Sequence, residues 1–212
     1  MLKEELIIDN LIHPNIQNFL LDKIKKESYY IRDNTVGIED KSIKGLDNIY
    51  EQFQLVNSIN PYEINNNIFL LPLISTLSFL NIDFKIENLL RVKCNTQTKS
   101  YINNQNKYNM PHYDQGWIQN EIKNQLVIIY HGNTADSNTV IFKDKIFPPI
   151  DNNNNFILEG FEIKLNKATP KKIIETKQGR IIVFMGDTLH TGQHPTKSPM
   201  RHVINYNYLL DT

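Results

Sequence analysis

The sequence predicts a mainly β fold with helices at its N-terminal end, a sandwich or jelly roll. Two observations carry that expectation. Beyond about residue 85, six short segments rich in Ile, Val, Tyr and Phe follow one another, separated by turn residues and not by helices. Before it, apolar residues recur at helical spacing. At 212 residues the chain is the size of one ordinary domain. Residues 1–212 therefore read as a single domain, with 1–85 as helical support and 86–212 as the β-core.

The elements follow in order. His13-Pro14 introduces Ile16, Phe19, Leu20 and Ile24, a three-to-four spacing that makes one apolar stripe on a helix ending near Ser28. Arg32 to Asn48 has mixed polarity with two glycines and reads as loop. Phe69 to Leu80 is uniformly apolar, which predicts a buried helix. The predicted strands are Leu89–Thr96, Gln125–Tyr130, Thr139–Phe142, Phe161–Leu165, Arg180–Met185 and Arg201–Leu209. The Asn run from Asp151 to Asn155, after Pro148-Pro149, reads as a surface loop.

Composition removes several classes of function. Hydrophobic residues at 40% and aromatics at 10% are too many for a disordered chain. No apolar run reaches the ~20 residues needed to cross a bilayer, and Met1-Leu2-Lys3-Glu4-Glu5 lacks the features of a signal peptide. A soluble, cytoplasmic protein is expected. The one cysteine, Cys94, excludes an internal disulfide framework and a Cys-rich zinc site. Lys plus Arg and Asp plus Glu are both 23, and this balance argues against a generic nucleic-acid binder. The chain holds 28 Asn and 30 Ile but two Ala and four Arg. That skew is the imprint of an AT-rich coding sequence, and it directs attention to each Arg and His that persists against it.

Among six histidines, one sits in a short acidic pair, His112-Tyr113-Asp114. In an extended segment residues i and i+2 share a face, so His112 and Asp114 can converge on one ion. Alone the pair is a weak signal. A third ligand should come from a distant strand, and Gly179-Arg180-Ile181-Ile182-Val183-Phe184-Met185-Gly186-Asp187-Thr188-Leu189-His190 supplies a strand, a tight turn and then His190. His194, in a Gly/Pro turn, is the second choice. Two His and one Asp make the facial triad of a non-haem iron(II) oxygenase, with positions left open for co-substrate and oxygen. Arg201 opens the next strand. A buried guanidinium there suits the far carboxylate of a dicarboxylate co-substrate, through two charge-assisted bonds of ~1.5–3 kcal/mol each.

His-x-Asp, a distal His after Gly-Arg-Ile-Ile-Val-Phe-x-Gly, and an Arg in the following strand resemble the iron(II)/2-oxoglutarate-dependent dioxygenases. The resemblance covers about residues 88 to 210, and is nearest to the prolyl-4-hydroxylase-like branch, including its small members in viruses of marine bacteria. It implies a double-stranded β-helix core (jelly roll, cupin-like), with His112, Asp114 and His190 holding Fe(II). It further implies that Arg201 pairs with the C5 carboxylate of 2-oxoglutarate. Tyr130 resembles the family tyrosine that donates to the same carboxylate, although Tyr130-His131-Gly132-Asn133 departs from the family's Tyr-Leu-Asn. Where the family reads Gly-Gly-x-Thr, Asp136-Ser137-Asn138-Thr139 keeps only the threonine.

The implied reaction takes 2-oxoglutarate, O2 and a C–H bond to succinate, carbon dioxide and an alcohol. The metal ligands are the only catalytic groups expected. Because Asp114 is present, hydroxylation is favoured over halogenation. A protein or peptide side chain is the expected substrate, with a free amino acid or small metabolite as the alternative; nucleic acid is not expected. A contrasting class is a non-oxygenase jelly roll holding zinc or manganese, which would have no need of Arg201. Several residues keep two readings. Asn95 either faces the cavity or ends a strand, and Trp117 and Tyr113 either wall a substrate mouth or simply pack. His202 should face away from Arg201, His131 reads as loop, His13 as a helix entry and Cys94 as a small buried hydrophobe.

Overall fold

The computed structural model describes residues 2–27, 30–32, 54–60, 62–100, 108–115, 119–149 and 160–211. Its first helix, α1 (Pro14–Lys26), begins where Pro14 pre-sets the first turn and the His13 ring accepts from the Asn15 amide. Leu20 and Ile24 are fully buried, whereas Phe19 lies half exposed beside Lys23. The stripe that docks α1 is therefore narrower than the apolar spacing predicts. The Phe69–Leu80 segment divides into the end of a 3-10 turn (Ile64–Leu70) and α2 (Leu71–Phe79), which buries Leu73 and Leu77 but exposes Phe79.

Ten strands form two antiparallel sheets among the described residues. The larger contains β1 (Leu6–Ile8), β2 (Tyr30–Arg32), β3 (Gln54–Ser58), β4 (Leu89–Thr98), β5 (Gln125–His131), β8 (Ile181–Met185) and β10 (Met200–Leu209), in the order β1-β8-β5-β10-β4-β3-β2. The smaller is β7 (Pro170–Glu175), β6 (Asn138–Phe142) and β9 (His190–Gly192). The fold is mainly β, as expected. The N-terminal part is not purely helical, because β1 pairs with β8 and β3 with β4.

One predicted strand is a helix. Phe161-Glu162-Ile163-Lys164-Leu165 alternates like a strand, yet beyond the single turn α3 (Gln119–Ile122) it forms α4 (Phe161–Asn166) after Gly160 at φ 68. Phe161 and Leu165 are buried, one helical turn apart, while Ile163 is 42% exposed. Strand β7 has no sequence signal because it is an edge strand, opening on a proline and carrying Lys171 and Lys172. Most of the Arg32–Asn48 loop and all of Asp151–Asn155 lie outside the described residues; Arg32 itself ends β2.

The two faces of the larger sheet have different jobs. Its outer face packs Val92, Cys94, Ile128, Tyr130, Ile204 and Tyr206 against α1 and α2. Its inner face meets the smaller sheet through Val127, Ile129, Ile182, Phe184 and Val203. On β4 and β10 the inner positions change to Lys93, Asn95, Gln97, Arg201 and Asn205, and there the sandwich opens into a polar cavity. Among the described residues no helix is long and apolar enough to cross a membrane.

Candidate metal centre and anion pocket

His112 and His190 are brought together by the backbone. Their amides and carbonyls exchange two hydrogen bonds, at 2.9 and 3.2 Å, in an isolated antiparallel bridge beside β9. The ring centroids are then 4.9 Å apart. Asp114, two residues on from His112, places Oδ2 3.9 Å from His190 Nε2. One ligand atom from each of the three residues lies within 4.8 Å of the others. The structure thus brings together all three residues singled out as a metal triad.

The histidine tautomers suit a cation. Nδ1 of His112 donates to the Met110 carbonyl at 3.0 Å, and Nδ1 of His190 to the Thr188 carbonyl at 3.1 Å. Each bond puts the ring proton on Nδ1 and leaves the Nε2 lone pair free to ligate. His190 Nε2 is buried and makes no hydrogen bond. Burial, then the neighbouring His190, lowers the pKa of His112 to about 4, and burial lowers that of His190. Asp114 is held ionised: burial raises its pKa, but the neighbouring charge of Arg91 foremost outweighs this and brings it well below the usual carboxylate range. Two neutral imidazoles and a carboxylate around an orphaned lone pair fit a divalent transition metal.

The second half of the cavity is built round Arg201, which is 3% exposed. Its Nε donates to Thr176 at 3.0 Å, Nη2 to Thr139 at 2.7 Å, and Nη1 to Gln97 Oε1. Its approach depends on Gly192, where a Cβ would lie 2.6 Å from Nη1. Burial lowers the Arg201 pKa to about 10, so it is still a cation at neutral pH. Among the described residues it has no acidic partner. A buried cation held only by neutral oxygens is costly until an anion arrives.

Tyr130 is not in this pocket. Strand β5 turns Ile129 toward the cavity, so Tyr130 points to the outer face, where it is fully buried among apolar side chains with its hydroxyl unbonded. His131 takes the inward position. It is the buried end of β5, not a loop residue, and Nε2 donates to Thr139 Oγ1 while Nδ1 accepts from the Lys177 amide. Burial, then Arg201, holds it neutral. Asn95 does line the cavity, and its Oδ1 and that of Asn205 are buried without partners.

The remaining candidates fall elsewhere. His194 bonds the Thr98 carbonyl outside the triad, and His202 faces away from Arg201 to Thr96 Oγ1. Tyr113 stacks on Phe147 at 4.7 Å, so it packs, and Trp117 lies outside the described residues. Cys94 is a buried free thiol. Sequence reasoning missed Arg91, Gln97 and Thr176. Arg91 and Gln97 share the inward period of two with Asn95 on β4, which is the signal that could have found them.

No family model matches the chain, and no curated relative matches it. Solved structures do. A prolyl hydroxylase from Trichoplax adhaerens, in complex with a hypoxia inducible factor oxygen degradation domain peptide fragment, superposes with TM-score 0.58 at 12% identity, covering 97% of this chain and 83% of that one. The non-haem α-ketoglutarate-dependent carbocyclase SnoK of nogalamycin biosynthesis gives 0.61 at 10% identity, covering 97% and 79%. A Pseudomonas putida prolyl-4-hydroxylase gives 0.54 at 8%, covering 98% and 93%. The chain has the iron(II)/2-oxoglutarate oxygenase fold. Within that oxygenase fold, the triad and Arg201 line one cavity together with Ile129 and Val203.

Proposed function

We propose that the protein is an iron(II)- and 2-oxoglutarate-dependent oxygenase that hydroxylates an unactivated C–H bond. The observation that carries this reading is the presence, in one cavity, of a His112–Asp114–His190 triad and a buried Arg201 that has no counter-anion among the described residues. His112 and His190 would offer Nε2 to Fe(II), and Asp114 its charge. The bound metal would supply oxygen activation coupled to decarboxylation of 2-oxoglutarate. Arg201, fixed by Thr139, Thr176 and Gln97, would orient the far carboxylate of 2-oxoglutarate. Ile129, Val203 and Phe184, whose ring is 4.7 Å from that of His190, would keep bulk water from the reacting atoms.

We assign a protein or peptide side chain as the substrate, supported by the likeness to a prolyl hydroxylase in complex with a peptide fragment. Anaerobic addition of Fe(II) and 2-oxoglutarate to the apo-protein should produce a visible metal-to-ligand charge-transfer band; a folded protein without the band rejects the oxygenase reading. Arg201→Ala should weaken 2-oxoglutarate binding by at least about 100-fold, from the loss of two charge-assisted bonds, with metal affinity retained. Equal loss of both would make Arg201 a structural residue. Turnover of 2-oxoglutarate across peptide and amino-acid pools then identifies the substrate, and stimulation by amino acids alone would reject the peptide assignment.

A further inference from the structure

Asp114 is not an isolated carboxylate. Arg91, on the cavity side of β4, sets its Nη2 2.7 Å from Asp114 Oδ1 in an ion pair. Its Nη1 donates to the backbone carbonyl of the same Asp114 at 3.1 Å, and its Nε to Asn207 Oδ1 at 3.0 Å. The amide nitrogen of Asn207 in turn approaches Asp114 Oδ2 at 3.5 Å. The Asp114 side chain is 4% exposed and that of Arg91 23%, so water screens the pair little.

This grip treats the two carboxylate oxygens differently. Oδ1 is committed to the guanidinium, while Oδ2 faces His190 Nε2 at 3.9 Å. Because Arg91 also holds the Asp114 main chain, both the backbone and the side-chain torsions are constrained. A planar fork with several donors can do this, and a lysine ammonium cannot reproduce it. We propose that Arg91 is a positioning residue that reserves one oxygen of Asp114, so that the carboxylate offers the metal a single oxygen and leaves room for 2-oxoglutarate. The inference rests on the metal-site reading above. It concerns one of only four arginines in the chain.

The test uses Co(II) as a spectroscopic metal in the whole protein, with no turnover required. Melting temperature, Co(II) affinity, the ligand-field bands in magnetic circular dichroism and 2-oxoglutarate affinity are read for wild type, Arg91→Met and Arg91→Lys. With Arg91→Met, Co(II) affinity should be unchanged or tighter, because a cation beside the carboxylate is gone. The ligand-field bands should shift, and 2-oxoglutarate affinity should fall at least tenfold. Arg91→Lys keeps the charge but loses the two-point hold, and should remain impaired. Full rescue by Lys would make the effect one of charge alone and overturn the proposal. A fall in metal and 2-oxoglutarate affinity in step with melting temperature would make Arg91 structural and also overturn it. If Arg91→Met does not fold, the Lys variant carries the same readings. Failure of the wild type to bind Co(II) sinks the metal-site reading itself, a distinct result.

Discussion

At the scale of the residue, the exchange of Tyr130 for His131 shows what motif likeness leaves open. Strand β5 is buried at every position from Gln125 to His131. Its outward set, Leu126, Ile128 and Tyr130, is as apolar as Val127 and Ile129 opposite. Polarity cannot tell its two faces apart, and a slip of one residue inverts them. The triad and Arg201 stood out because each is a charged or ligating group, and Arg201 is one of only four arginines. A neutral buried phenol has no such contrast. Tyr130→Phe removes a hydroxyl that bonds to nothing, so stability should be unchanged or higher by up to about 1 kcal/mol. 2-Oxoglutarate affinity should stay within twofold. A tenfold loss in titration would return Tyr130 to the pocket.

At the scale of the element, strands rich in β-branched and aromatic residues were readable, and the edge strand β7 and the three-residue β9 were not. Strands β5, β6 and β8 carry unbroken runs of Val, Ile and aromatic residues, whereas β9 has only His190-Thr191-Gly192 and is a strand by virtue of its pairing with β6. The α4 segment fails differently: its alternation is genuine, but burial follows the helical period. Leu165→Ala should therefore cost about 2–5 kcal/mol and Ile163→Ala less than about 1. Denaturant unfolding of both variants decides this, and equal costs would favour a strand-like environment.

For the whole molecule, the buried histidines away from the triad add to the response to acid. Burial lowers the pKa of His194 and His202 to about 4 each, and that of His131 well below its usual value. Near pH 6.5 and below, the unfolded chain takes up protons that these folded sites refuse. Stability is then full above about pH 6.5 and falls as the pH drops toward 4. The slope is up to about 1.4 kcal/mol per pH unit for each such histidine. Thermal unfolding between pH 7 and 4 measures it, and His202→Asn should flatten the curve. An unchanged slope in that variant would mean His202 is protonated in the folded state.

The bridge between His112 and His190 has a bearing on time as well as on geometry. It joins positions 78 apart in the chain (190 minus 112), a contact whose loop-closure cost falls late in folding. These two candidate ligands cannot meet before the strands that carry them have paired, so on the proposed reading the metal site is a product of folding and not its nucleus. Unlike a zinc finger, this chain should acquire its shape first and its ion afterwards. In stopped-flow experiments, added metal should slow unfolding and leave the folding rate constant unchanged. A folding rate that climbs with metal concentration would place the bridge in the transition state.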